Sequence, residues 1–267
     1  MSLLQDQQII LADSIEAEAI GDCFRAAPPR YGNLALQSID RTLLLSPTLS
    51  TPFLNRVVGL GNGGAVSQAM LEEIMALYRE RGIANYWIQV SPLARHLLPL
   101  LEKNGFQPAA NKGIEQFLLD QSIPFAGTLQ VREVTAQESG LLGMVLCRSF
   151  SFPESMQEWF AAMAMRKGWR FYFACHDGVP IAVGGLYLSG TRAWLGMGGT
   201  LPEARRLGAQ AALIAARVLA AQQAGCRDIG VGTWHPKEGE NNSSLNNILR
   251  AGFRRVALRL NYGLVTA

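Results

Sequence analysis

The sequence predicts an α/β protein of two similar lobes, each a mostly antiparallel mixed sheet flanked by helices. Three observations carry this. Three strand-like runs in the second half are joined by tight-turn pairs, a helix–strand–helix–strand succession follows them, and the first half echoes that succession. The chain has 267 residues, enough for one large or two modest domains.

The second half opens with Leu129–Val134, which alternates as a strand does, followed by amphipathic stretches over 136–150 and 153–167. Pro153 occupies a first-turn proline position, with Glu154 near the positive helix end. Strand-like runs at Arg170–Cys175, Ile181–Leu188 and Arg192–Gly199 are separated by Asp177-Gly178 and Ser189-Gly190, both hairpin-turn pairs. Gly208–Ala224 is rich in Ala and Leu, without a breaker, and Gly225 stops it. Asp228–Thr233 reads as a short buried strand. Ser243–Arg250 reads as a helix closed by Gly252, and Phe253 leads into a final strand pair.

The echo lies at Asn55–Gly59 (strand), Val66–Arg81 (helix, stopped by Gly82) and Asn85–Val90 (strand). A short helix then ends in Glu102-Lys103-Asn104-Gly105-Phe106, parallel to Leu249-Arg250-Ala251-Gly252-Phe253. From helix-stop glycine to Gly-Phe takes 23 residues in the first half and 27 in the second. The lobes are read as 1–122 and 128–267, with the joint near Ser122–Gly127, where Pro124 and Gly127 interrupt regular structure.

Composition narrows the function classes. Hydrophobic residues make up 49% and charged residues 17%, which supports packed cores. A net charge of +3 without a Lys/Arg block speaks against nucleic acid, and the dispersed tryptophans suggest no base-stacking platform. No apolar run reaches the roughly 18 residues needed for a membrane span. The start, MSLLQDQQII, has no basic region of a secretory signal. Cys23, Cys147, Cys175 and Cys226 are scattered singly, so reduced thiols, a cytoplasmic setting and no metal site are expected.

The stretch Thr200–Ala211 carries the chemistry. It joins a strand to a long helix whose first N–H groups, with the positive end of the backbone dipole, suit a phosphate. Gly208 allows close backbone approach, Ala209 and Ala211 keep the neighbourhood small, and Arg205 and Arg206 add positive charge. A solvated turn would also accommodate paired arginines. Here the sequence resembles the GNAT acyltransferase superfamily, whose motif is Arg/Gln-x-x-Gly-x-Gly/Ala at the start of the third helix. Pro202-Glu203, Arg205 and Gly208 match in register, while Gln210 stands where the family has Gly or Ala. Asn241 precedes Ile248 by the spacing that separates the family's pantetheine-contacting Asn from its usual Tyr, and Gly252-Phe253 matches the Gly-Phe closing that helix. The resemblance covers about 129–267. It extends weakly over 1–120, which look like the degenerate first lobe of tandem members.

The resemblance implies that the fourth and fifth strands of the second lobe splay into a notch for acetyl-CoA. The pyrophosphate would rest on amides of Arg206, Leu207, Gly208, Ala209, Gln210 and Ala211. Pantetheine would run beside Gly198, Gly199, Thr200 and Leu201, with Asn241 and Ser244 nearby. An N-acetyltransferase using acetyl-CoA as co-substrate, acting on a small-molecule or peptide amine, is the resulting expectation. A non-catalytic CoA-binding or interaction module is the alternative, because Ile248 replaces the proton-donating Tyr. Base candidates are His235, after the fifth strand, and Tyr187, each also readable as a loop or packing residue. A homodimer stays open, and the first lobe could instead cover the acceptor pocket.

Gly59–Gly64 fits G-x-G-x-x-G between a strand and a helix, yet no Asp or Glu follows at the ribose-binding distance. A vestige of a lost CoA loop explains it better than a dinucleotide site.

Overall fold

A computed structural model describes residues 2–121 and 129–264; the joint expected near Ser122–Gly127 lies outside them. The chain opens with a long helix, α1 (Leu3–Arg25), whose start is fixed by a capping box between Ser2 and Gln5. Sequence reading gave it no place. Its buried face carries Asp13, Glu16 and Asp22 among Ile9, Ala12, Ile15 and Phe24, so it lacks an apolar stripe. The hairpin β1 (Leu34–Gln37) and β2 (Thr42–Leu45) follows, also unforeseen.

The echo is present as β3 (Arg56–Val58), α2 (Gln68–Glu80), β4 (Trp87–Val90), a 3-10 turn, α3 (Leu98–Lys103) and β5 (Phe106–Leu119). The second half runs β6 (Gln130–Glu133), α4 (Ser139–Phe150), α5 (Gln157–Met163), β7 (Trp169–His176), β8 (Val179–Ser189) and β9 (Arg192–Thr200). It ends with α6 (Ala209–Gln223), β10 (Asp228–Trp234), α7 (Ser243–Arg250) and β11 (Phe253–Leu264). Asp177 (φ 50°) and Gly178 (φ 77°) are both left-handed, as a two-residue hairpin turn requires.

The strands form one sheet in the order β1-β2-β3-β4-β11-β5-β10-β9-β8-β7-β6. The halves exchange strands at its centre. β11 enters between β4 and β5, and β5 lies against β10 of the other half. Phe106 stands opposite Leu264 and Phe253 opposite Leu119. The two Gly-Phe motifs therefore begin opposite ends of one antiparallel pair, a pseudo-twofold arrangement consistent with the internal repeat.

The expected final strand pair is instead the single strand β11. No turn residue divides it, and register shifts between Arg255/Ala257 and Leu260/Tyr262 absorb its bend.

Three apolar clusters hold the layers. One joins α1, α4 and α5 to the sheet around Trp159, Phe173 and Trp194. Another packs α6 and α7 on the opposite face around Leu213 and Ile229, and the third belongs to α2 and α3. All four cysteines are buried free thiols.

Across the centre runs an ionic network. Arg259 of β11, fully buried, donates to Asp13 and Glu16 of α1 at 2.8 Å each. Arg56 of β3 lies 3.8 Å from Glu16. Farther along α1, Glu18 pairs with Arg192, and Asp22 with Arg166. One helix of the first half thereby clamps both halves of the sheet.

Candidate active site

β9 and β10 run parallel only from Arg192/Asp228 to Leu195/Val231. Beyond that, β9 continues to Thr200 beside β8, and β10 continues to Trp234 beside β5. Two features open this notch. Met197 takes φ 51° at a register break between Val183 and Gly185, which bends β9. The Trp194 ring also lies against Gly230 and Gly232, 3.0 and 3.2 Å from where β-carbons would stand, so it wedges beneath β10.

Gly199 pairs with Val183, and the Leu201 N–H donates to the Ile181 carbonyl at 3.0 Å. Strand alternation then turns the amides of Gly198 and Thr200 into the notch. Of the four positions expected beside pantetheine, only these two offer free backbone groups. Leu201 is buried, its amide committed to β8. Gly198 is exposed, and a β-carbon there would meet the Gln210 side chain at 2.8 Å. Gln210 in turn donates to the Thr200 hydroxyl at 3.1 Å. The residue that departs from the family motif thus braces the end of β9.

At the notch's foot, residues 205–208 are exposed and lead into α6. Arg206 (φ 72°) and Gly208 (φ 80°) are left-handed, and no side chain caps the helix. The Ala212 N–H makes the first intrahelical bond, to Gly208 at 3.2 Å, leaving the amides of Ala209, Gln210 and Ala211 without helical partners. Among the described residues neither Arg205 nor Arg206 enters a salt bridge. These features fit a diphosphate: free N–H groups, two exposed cations, and a glycine where the chain turns left-handed.

The first-half counterpart is built differently. Ser67 caps α2 by accepting from Met70 N–H at 3.1 Å, and Asn62 is bound to Asp13 at 2.5 Å and to Ser91. The glycine loop is thus occupied by its own side chains.

Arg217, two turns into α6, sits behind the β9 bend. Its Nη1 donates to the carbonyls of Gly185 and Gly196 at 3.0 and 3.1 Å, and its Nε to Leu213 at 3.0 Å. A β-carbon on Gly184 would stand 2.7 Å from the guanidinium, and Nη2 lies 3.7 Å from the β-carbon position of Gly198. No carboxylate pairs with it among the described residues. Burial pulls its pKa down to about 10, which still leaves it cationic at neutral pH. Sequence reading gave Arg217 no role. The signal was a lone charge on the buried face of an alanine-rich helix, one turn after Leu213.

His235 follows β10 at the notch edge, its amide bonded to Gly113 at 3.0 Å. Its Nδ1 lies 2.6 Å from Oε1 of Glu115, a buried carboxylate on β5 that also accepts from Arg255. Because the ionised carboxylate only accepts, Nδ1 carries the proton and Nε2 is left as an acceptor. Glu115 was missed. Strand exchange brings it 120 residues along the chain to His235, and no local pattern announces that.

Tyr187 belongs elsewhere. It pairs with Trp169 and Trp194, five residues along β8 from Ala182, so about 17 Å from the open end of the notch. Its ring fills the space beside Gly168, and burial, then Glu18 and Asp22, push its pKa up. It packs on Trp169, 5.3 Å between ring centres, and lines a separate cleft with Asp22 of α1 and Arg166.

Asn241 is exposed and accepts from Asn246 at 2.9 Å, and Ser244 is exposed in the first turn of α7. Its neighbour Asn242 caps α7 and donates to the Trp234 carbonyl at 2.7 Å, tying that helix to the tip of β10. Ile248 is buried in the apolar layer beneath α7.

Comparison with known proteins agrees with this geometry. Residues 147–239 match the family described as an acetyltransferase (GNAT) domain. No curated protein matches the chain. Among solved structures, a GCN5-related N-acetyltransferase from Kribbella flavida superposes with a TM-score of 0.65 at 16% identity, over 96% of each chain. A GCN5-related N-acetyltransferase from Sphaerobacter thermophilus gives 0.63 at 13%, covering 93% of this chain and 92% of that one. A tandem GNAT protein from the clavulanic acid biosynthesis pathway gives 0.60 at 17%, covering 97% and 93%. Residues 147–239 thus carry a match to a GNAT acetyltransferase domain, and the whole chain shares the fold of these solved structures, a tandem GNAT protein among them.

Proposed function

We propose that this protein transfers an acetyl group from acetyl-CoA to the amine of a small molecule or peptide. The observation that carries the reading is the notch between β9 and β10, which opens over the uncapped start of α6. The amides of Ala209, Gln210 and Ala211, with Arg205 and Arg206, would hold the diphosphate. The backbone groups of Gly198 and Thr200 would receive pantetheine as an added strand does.

The thioester supplies an activated acyl carbon. His235 Nε2 takes the proton that the acceptor ammonium must lose before its nitrogen can attack, and Glu115 holds the ring in the tautomer that allows this. The Gly198 N–H faces the side where negative charge develops on the acyl oxygen. Ile248 supplies no proton to the departing sulfur. Arg217 compensates, since a buried cation beneath the bend favours a thiolate over a thiol. It also pins the carbonyls that shape the bend.

Calorimetric titration with acetyl-CoA, paired with thiol release across an amine panel, tests this. Saturable binding with amine-dependent release is expected. Arg205→Ala should weaken binding, and Arg217→Met should slow release more than it weakens binding. The buried Ile248 favours the second reading, a CoA-binding module without turnover. Binding with no release from any amine would select it.

A further inference from the structure

The mouth of the notch is rimmed by aromatic rings from both halves of the chain. Phe150, at the end of α4, reaches Gly199, its Cε2 lying 3.0 Å from where a β-carbon would stand. Ring contacts then run from Phe150 to Phe152 (5.5 Å between centroids), to Phe53 (6.4 Å), to Trp234 (5.2 Å) and to Trp87 (6.0 Å). The series leads from the end of β9 to the end of β10 and closes on the residue before His235. Phe53 and Trp87 come from the first half, so the rim exists only when the halves are joined.

Two of these rings remain open to solvent, Phe150 at 40% and Trp234 at 37% exposure. Contiguous exposed aromatic surface beside a reactive notch marks a recognition surface. At the inner end sits one polar group. Ser149 is 8% exposed, its Oγ has no hydrogen-bond partner, and it lies 3.1 Å from the β-carbon position of Gly199. A buried hydroxyl without a partner is costly to keep unless a ligand satisfies it. The buried Arg56 guanidinium lies 4.7 Å from the Phe53 ring centre and is paired with Glu16 at 3.8 Å. The Glu115 carboxylate is committed to His235 and Arg255. To an acceptor this rim offers ring faces, ring edges and one inner hydroxyl.

We infer that the acceptor is a small primary amine bearing an aromatic group, an arylalkylamine. Its ring packs against Trp234 and Phe53 in offset or edge contact, and its amine turns inward toward Ser149 and His235. This rests on the acetyl-transfer reading and narrows its substrate.

The test compares phenethylamine and tryptamine with ethanolamine and spermidine at saturating acetyl-CoA. Phenethylamine binding is also followed through tryptophan fluorescence without acetyl-CoA. The aryl amines should exceed the others in kcat/KM by about tenfold or more, the scale of one apolar subsite. Trp234→Ala should erase about tenfold of that preference through KM, and Trp234→Phe should restore most of it. Efficient release with spermidine and no aryl preference would overturn the inference while keeping acetyl transfer. Absence of release with every amine would overturn acetyl transfer itself. In that event, saturable phenethylamine binding lost in Trp234→Ala would still support the aryl site, and no binding would remove it.

Discussion

Replacing His235 with alanine is expected to lower kcat by about 10²- to 10⁴-fold, the range that a positioned general base contributes. The reason is geometric. Nδ1 is engaged by the buried Glu115 at 2.6 Å, which leaves the Nε2 lone pair free to accept a proton. The backbone that places His235 is fixed independently, by its amide bond to Gly113 and by the pairing of β10 with β5, so the substitution should leave acetyl-CoA binding intact. Glu115→Gln removes the charge that selects the tautomer while keeping the shape, and should lower kcat by a smaller factor without altering KM for acetyl-CoA. A steady-state comparison of both variants checks this. Unchanged kcat in His235→Ala would show that the proton leaves by another route.

Arg259→Leu is expected to destabilise the fold by about 3–5 kcal/mol, the cost of breaking a buried ion pair from one side. The guanidinium is fully buried and bonded at 2.8 Å to both Asp13 and Glu16, so its loss leaves two carboxylates inside the protein. Arg56, 3.8 Å from Glu16, compensates for one of them only in part. The bonds span some 240 residues and fasten α1 to β11, so the first helix should loosen before the outer strands do. Urea unfolding followed by circular dichroism measures the cost. A change below about 1 kcal/mol would mean that the network is no more stabilising than a surface pair.

Much of the second half was legible because its punctuation is local. Asp177-Gly178 sets a two-residue turn whatever surrounds it, and the run from Gly208 to Gly225 contains a helix start, a helix and a stop. Ser243–Arg250 was read to the residue. The first 50 residues were not legible. α1 buries acids that only make sense once Arg259 and Arg56 arrive from distant strands, so its charge pattern resembles a solvated segment. The exchange of β5 and β11 was hidden for a related reason. The Gly-Phe motifs reveal that two repeats exist, but nothing within either repeat says which strand will lie beside which.

The site divides along the same line. The Arg205–Ala211 loop was visible because its chemistry is contiguous: a turn, two arginines, a glycine and a helix start. Glu115, Phe53 and Trp87 reach the notch only through the sheet's topology. Tyr187 was misplaced because strand alternation gives a residue's face but not its distance from the open end. Arg217 carried a signal, a single charge inside an apolar helix face, that the motif match overshadowed.

The central claim is that the exposed turn and the first amides of α6 bind the diphosphate of acetyl-CoA. Amide NMR of the labelled protein under titration with acetyl-CoA tests it most directly. Gly208, Ala209, Gln210 and Ala211 should shift and saturate together with Gly198 and Thr200, while the Gly59–Gly64 loop stays unmoved. Saturating acetyl-CoA that leaves the α6 amides unchanged, or that perturbs the first-half loop instead, would contradict the assignment.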